Sequence, residues 1–167
     1  IGIDYTGLTA LEELYCYSNY LTGILDVSGL ATLKRLVCYA NDLDGITLSG
    51  TATYEYIECS FNYMLNTAAV TGQAIVWDDV NFTFNPQYYR ISYDANGGTG
   101  TMSDAGIQVG NNFIASLCLF TPPAGKQFKA WAIGSTAGPQ INESDIFTPT
   151  SHTTLYAIWE EIPTVSE

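Results

Sequence analysis

Four cysteines, one histidine and a scatter of carboxylates are the residues of this chain that could make or break bonds. Cys16, Cys38, Cys59 and Cys118 could act as thiolate nucleophiles or soft metal ligands, but no Cys-x-x-Cys pair occurs. With His152 the only histidine, neither a zinc site nor a Cys-His catalytic pair has the ligand spacing it needs. Asp42 and Asp44 offer oxygen ligands for calcium without the Asp-x-Asp-x-Asp-Gly loop and closing Glu of a dedicated site. Glu13 and Glu58 fall on one predicted face, and paired carboxylates can hydrolyse glycosides, but only across a cleft that fixes their separation. Ala95-Asn96-Gly97-Gly98 is not followed by Gly-Lys-Ser/Thr, so it reads as a strand running into a type I′ hairpin turn, with Gly97 and Gly98 as turn residues. These patterns predict no catalytic residue, no metal, no cofactor and no enzyme activity, and they move the question from chemistry to binding.

Charge narrows the partners. The 167 residues carry 17 acidic side chains against five basic ones, a formal net charge of -12. A surface that binds nucleic acid needs clustered Lys and Arg to displace counterions, and this field repels polyanions and anionic membranes. No apolar run reaches the length of a membrane span, so no direct membrane insertion is expected. The chain is 47% hydrophobic and 13% aromatic, enough for a packed core rather than disorder.

The elements that position these residues show in an internal repeat. Leu11-x-x-Leu14-x-Cys16-x-x-Asn19-x-Leu21 recurs as Leu33-x-x-Leu36-x-Cys38-x-x-Asn41-x-Leu43 and as Tyr54-x-x-Ile57-x-Cys59-x-x-Asn62-x-Met64. The linking halves repeat as well, as Ile3-Asp4-Tyr5-Thr6-Gly7-Leu8, Leu25-Asp26-Val27-Ser28-Gly29-Leu30 and Ile46-Thr47-Leu48-Ser49-Gly50. This is the leucine-rich repeat pattern at its usual period. It predicts a mainly β fold: a solenoid of about three to four coils with short parallel strands. Asn19, Asn41 and Asn62 are predicted to bond backbone groups at the bends, and Cys16, Cys38 and Cys59 to stack inward as a packing ladder. The pattern fades after Met64, and residues 74–84 are predicted to form a strand-rich cap. That cap resembles the ends of bacterial internalin-type leucine-rich repeat arrays. The chain opens inside a repeat, so a longer native array is expected, with its export signal and wall anchor outside these residues.

From Tyr88 the period disappears. Tyr89-Arg-Ile91-Ser-Tyr93-Asp94, Phe128-Lys-Ala130-Trp131 and Thr154-Leu155-Tyr156-Ala157-Ile158-Trp159 read as alternating strands, with Tyr89, Ile91, Tyr93, Phe128, Leu155, Ala157 and Trp159 as the predicted inward set. The order Tyr-x-Ile-x-Tyr-Asp-Ala-Asn-Gly-Gly-Thr-Gly-Thr-Met, Pro-x-Gly-x-x-Phe-x-x-Trp, Thr-Leu-Tyr-Ala-x-Trp resembles the internalin B-repeat family of bacterial surface proteins. The resemblance implies a small β-grasp-like module that acts as a spacer or interaction unit. The expected division is residues 1–87 for the repeats and cap, 88–160 for the module and 161–167 for a linker or tail.

Counting outward from the repeat motif gives a candidate binding face: Glu13, Tyr15 and Tyr17 in one coil, Arg35, Val37 and Tyr39 in the next, and Tyr56, Glu58 and Ser60 in the third. Tyrosine combines apolar area with a polar tip and suits protein interfaces, and its ring also stacks on sugars. The expectation is a non-catalytic adhesion or protein-interaction module on a bacterial cell surface or wall. Its partner would be a host or bacterial surface protein or a surface glycan. The alternatives are a carbohydrate-binding module of a larger surface enzyme and a purely structural spacer. Oligomeric state stays open, with a monomer as the default.

Overall fold

The computed structural model describes residues 3–163. Its first half is built from seven short strands: β1 (Glu13–Tyr15), β2 (Thr22–Asp26), β3 (Arg35–Val37), β4 (Asp42–Thr47), β5 (Tyr56–Glu58), β6 (Val70–Thr71) and β7 (Phe82–Thr83). They form two parallel sheets, ordered β1-β3-β5-β7 and β2-β4-β6, so each of the first three coils contributes one strand to each sheet. The result is a β-solenoid. Apolar residues at the repeat positions face inward because side chains alternate along a strand. In-register pairing stacks Leu14, Leu36, Ile57 and Phe82 in one column. Cys16, Cys38 and Cys59 lie two residues further on, buried in the same core and present as free thiols.

The bends are held by amide side chains. Asn41 Nδ2 donates to Cys16 O of the preceding coil at 2.9 Å and to Cys38 O of its own at 3.1 Å, while its Oδ1 accepts from Leu21 N at 3.1 Å. Asn62 repeats this one coil on, donating to Cys38 O at 3.0 Å and Cys59 O at 3.1 Å and accepting from Leu43 N at 3.1 Å. Asn19 donates only within its own coil, to Cys16 O and Tyr17 O, and is exposed. The residue before each Asn (Ser18, Ala40 or Phe61) has a positive φ of 53 to 55°, the left-handed conformation that turns the chain into the bend.

The array does not fade where its consensus does. Phe82-x-Phe84-x-x-Gln87 has the spacing of Leu14-x-Cys16-x-x-Asn19, and Gln87 provides a fourth amide. Its Nε2 donates to Cys59 O at 2.9 Å and to Phe84 O, and its Oε1 accepts from Asn62 N at 3.0 Å. The expected strand-rich cap is corrected accordingly: within residues 74–84 only Phe82–Thr83 is strand, and Val76 and Val80 are exposed. Ile75 and Trp77 pack against the core from loop segments. The close approach of the loop to the second coil requires glycine at 72, where φ is +88° and a Cβ would lie 2.0 Å from Leu48 O.

The division between two compact units falls between Tyr88 and Tyr89. The second unit contains β8 (Tyr88–Asp94), β9 (Ala105–Gln108), β10 (Phe113–Ile114), β11 (Lys126–Ile133), β12 (Gln140–Ile141), β13 (Ile146–Phe147) and β14 (Thr153–Glu161). Five of these form one sheet, ordered β12-β11-β14-β8-β9, with β8 and β14 parallel at its centre and β11 antiparallel to β14. β10 and β13 form a separate two-stranded ribbon. No helix occurs in this unit among the described residues. The core lies between Ile91, Trp131, Leu155 and Ala157 of the sheet and Phe113, Ala115 and Phe120 of the segment carrying β10.

Two details of this unit depart from simple alternation. Period two from Phe128 would put Ala130 and Ala132 on its face, but a β-bulge between Phe128 and Ala130 shifts the register. Trp131, outside the predicted inward set, thus becomes a fully buried centre of the core and lies 5.1 Å from the Phe128 ring. Tyr89, inside that set, instead meets His152 edge to face at 6.2 Å and takes no part in the core. The Ala95–Gly98 turn has positive φ at Asn96 and Gly97, as a type I′ turn requires, but the next sheet strand starts only at Ala105, so it closes no two-residue hairpin. Gly98 has a packing role: a Cβ there would lie 2.6 Å from the Trp159 ring. At the other end, β14 runs through Glu161, into the stretch expected as tail, and residues 164–167 lie outside the described residues.

Replacing Asn41 with Ala removes one of the two amide donors to each of the Cys16 and Cys38 carbonyls, which Asn19 and Asn62 also reach, and leaves the buried Leu21 N–H without its acceptor, at about 1–3 kcal/mol for a buried group left unpaired. Urea unfolding should show Asn41→Ala and Gln87→Ala losing about 2–4 kcal/mol, and Asn19→Ala at the exposed rung under about 1 kcal/mol. Equal losses at positions 19 and 41 would refute the coil-to-coil role of the amides.

Candidate binding face

Leu14, Leu36 and Ile57 point into the core, so the residues on either side of them point out of the β1-β3-β5-β7 sheet. Parallel pairing sets these neighbours in two rows, Glu13–Arg35–Tyr56 and Tyr15–Val37–Glu58. Tyr17 and Tyr39 follow just past the strand ends and stack face to face, with ring centroids 4.8 Å apart and planes 5° from parallel. That separation matches the spacing of neighbouring strands, so the coil geometry itself sets the stack.

Seven of the nine predicted face residues are accessible: Glu13, Tyr15 and Tyr17 are exposed, and Arg35, Tyr39, Tyr56 and Glu58 are half-buried. The other two are not. Val37, at 5% exposure, is a short side chain in the row between Tyr15 and Glu58, which overtop it. Ser60, at 2%, lies beyond the end of β5, where its carbonyl accepts from Ala40 N at 3.1 Å and Asn62 Nδ2 at 3.2 Å and is drawn into the bend. Counting along the motif gave the side on which a residue projects, whereas accessibility depends on the sizes of its neighbours one coil away.

The accessible residues hold one another. Arg35 Nε donates to Tyr15 Oη at 3.3 Å, and its guanidinium carbon sits 4.7 Å over the Tyr56 ring. Tyr56 Oη donates to Glu58 Oε2 at 3.1 Å. The hydrogen bond to Tyr15 raises the Arg35 pKa, and partial desolvation followed by the Glu58 bond raises that of Tyr56. At the rim, Lys34 Nζ pairs with Glu12 at 2.9 Å. Side chains fixed in this way lose little further freedom on binding, and such preorganisation favours affinity.

The three core thiols point away from the face, and burial raises the pKa of Cys16 to about 11 and of Cys59 to about 12, with Cys38 also well above the ordinary range. A thiol kept protonated is a poor nucleophile. Among the described residues, no group of three or more His, Cys, Asp or Glu could hold a metal ion. Among the same residues no helix is long and apolar enough to cross a membrane.

Residues 89–158 match the family Flg_new, the Listeria-Bacteroides repeat domain, a repeat that occurs in bacterial surface proteins. The match lies within the second unit and leaves the solenoid outside it. No curated protein and no solved structure matches the chain significantly.

The thiols also imply a pH dependence. In the unfolded chain they ionise near their ordinary pKa of 9.0, while the fold holds them protonated to about 11 and above. The unfolded state therefore releases protons first, so stability is full below about pH 9 and falls as pH rises through 11. Tyr54 and Tyr56, also raised by burial, act in the same direction above their ordinary 10.0. A urea midpoint that stays constant from about pH 8 to 10.5 would contradict this account.

Proposed function

We propose that the chain is a non-catalytic adhesion or protein-interaction module of a bacterial cell surface, with its solenoid face as the contact and its second unit as spacer or support. The observation that carries this reading is the preorganised face itself: Arg35 held between Tyr15 and Tyr56, Glu58 on Tyr56, and the Tyr17–Tyr39 stack beside them. Binding hot spots are rich in Tyr and Arg held in this manner. The repeat match over residues 89–158 supports the surface setting and an extracellular location.

Finer assignments belong to the same proposal. The repeated Leu-x-x-Leu-x-Cys-x-x-Asn motif with parallel strands and an amide ladder supports leucine-rich repeat identity of the internalin kind. In the second unit, parallel first and last long strands with β11 antiparallel to the last support a β-grasp-like sheet of B-repeat type, although no helix packs on it among the described residues. The partner is a host or bacterial surface protein. A surface glycan is the second reading, favoured by the parallel Tyr17 and Tyr39 rings, which present the flat faces that sugars stack on.

Replacing Tyr15, Tyr39 and Tyr56 together with Ser tests the face. Binding to host cells, to bacterial cells and to an array of purified glycans should fall more than about tenfold while the circular dichroism spectrum is retained, because each such anchor contributes more than about 1 kcal/mol. Loss confined to the array would make the module lectin-like. Unchanged binding on every surface would remove the face from the proposal.

A further inference from the structure

The amide ladder fixes not only the core but the residues on either side of each amide. The position after it holds Tyr20, Asp42, Tyr63 and Tyr88 in four successive coils, and the position before it holds Ser18, Ala40 and Phe61 in the first three. Parallel coils bring equivalent positions into columns. The second coil therefore sets a carboxylate where the coils on either side set rings, and a methyl group next to Phe61 of the third coil. The outcome is a recess of about 230 Å³ lined by Tyr20, Ala40, Asp42, Phe61, Tyr63 and Tyr88. It lies at the bends, where the sheet face ends, and shares no residue with that face.

The recess has the chemistry of a cation site. The Phe61 and Tyr88 rings stand 5.8 Å apart and tilted by 46°, and Tyr63 and Tyr88 6.0 Å apart and tilted by 44°. They form inclined walls rather than one flat platform. Tyr20, at 79% exposure, forms the opposite rim. Ring faces carry negative charge density and attract cations, and Asp42 adds the one full charge among the lining residues. The surrounding unit strengthens the sign, because residues 1–88 carry ten carboxylates against Lys34 and Arg35, a net charge of -8. Anionic ligands are repelled. The Asn41 amide is committed to the ladder through both its oxygen and its nitrogen, which leaves Asn19 as the one lining amide with an accessible oxygen.

The type of cation follows from the acceptors. A primary ammonium brings three N–H donors that must exchange water for protein acceptors, and the recess provides one carboxylate, with the neutral Asn19 amide oxygen and tyrosine hydroxyls as weaker acceptors. A quaternary ammonium has no N–H donor to satisfy and presents methyl groups to the rings. We propose that this recess binds a quaternary ammonium group, such as the trimethylammonium of a choline-type headgroup, between Tyr20 and the Phe61–Tyr63–Tyr88 wall with Asp42 as counter-charge. The site is independent of the sheet-face reading above.

Titrating the full chain with tetramethylammonium and with choline, while following tyrosine ring proton shifts by NMR, tests the proposal. Saturable shifts of Tyr20, Tyr63 and Tyr88 are expected with a dissociation constant on the order of 1–10 mM. Asp42→Asn and Tyr20→Ala, both at accessible positions, should each weaken binding roughly fivefold, while the Tyr15, Tyr39 and Tyr56 triple variant binds as the parent does. Shifts reproduced by sodium chloride, or failing to saturate by about 100 mM, would overturn the site. Equal binding of n-butylammonium would overturn the assignment to a quaternary group and point to a lysine side chain. Once choline binds, co-sedimentation with phosphatidylcholine vesicles assigns its source to a lipid surface, and binding of choline without sedimentation assigns it to a soluble or polymer-borne group.

Discussion

The solenoid depends on satisfying backbone groups at a bend that no sheet can reach. Between β1 and β2, or β3 and β4, the chain reverses within a few residues, and its carbonyls and N–H groups turn inward toward an apolar core. Buried backbone groups left unpaired are costly. One primary amide carries both a donor and an acceptor and can serve two coils at once, as Asn41, Asn62 and Gln87 do. An aspartate would offer only acceptors, and a serine too short a reach. No buried side-chain polar atom among the described residues is left without a partner. The apolar columns stabilise the coils, but the amides set their register, because each bonds both its own coil and the one before.

Fixed register has a consequence for the surface. When every coil repeats the same bend, every outward position becomes a column whose members lie one strand spacing apart. Tyr17 and Tyr39 stack at 4.8 Å for this reason, and Arg35 reaches both the hydroxyl of Tyr15 on one side and the ring of Tyr56 on the other. A column also makes a local change in residue size visible as shape: a small residue between large ones is buried, as Val37 is, or opens a recess, as Ala40 and Asp42 do. Exposure and concavity in this unit are thus properties of three consecutive coils, not of any one residue.

This also explains how much of the molecule was legible in its sequence. Asn41, Cys38 and Leu36 stood out because the same residue types recur at the same slots, and the outward side of Tyr15 and Tyr56 followed by alternation. Gln87 escaped because the residue type changed and the interval from Asn62 lengthened, although Phe82-x-Phe84-x-x-Gln87 kept the internal spacing that could have identified it. Trp131 escaped because a bulge is an insertion in pairing that leaves no mark on composition. Val37 and Ser60, predicted on the accessible face, are buried, and alternation could not show it because their burial depends on neighbours one coil away. Asp42 was visible as a carboxylate, but its setting between rings emerges only when the column after each amide is read across coils.

The two units differ in how far surface change is compatible with the fold. In the second unit the most recognisable motif, Ala95-Asn96-Gly97-Gly98, is tied into the interior: Trp159 Nε1 donates to Ala95 O at 3.0 Å, Asn96 Nδ2 donates to Ala157 O at 2.9 Å, and Gly98 leaves no room for a side chain under the Trp159 ring. Its sequence is constrained by packing, so its persistence would say little about a ligand. In the solenoid the amide and the apolar columns carry the fold, and the Tyr15, Arg35, Tyr56 and Glu58 side chains of the β1-β3-β5-β7 face bond one another. Exchanging a ring for a carboxylate at position 42 alters the surface without touching the ladder. Change at the outward positions of the solenoid is therefore compatible with its fold, while the Ala95–Gly98 turn of the second unit is held by the packing around Trp159.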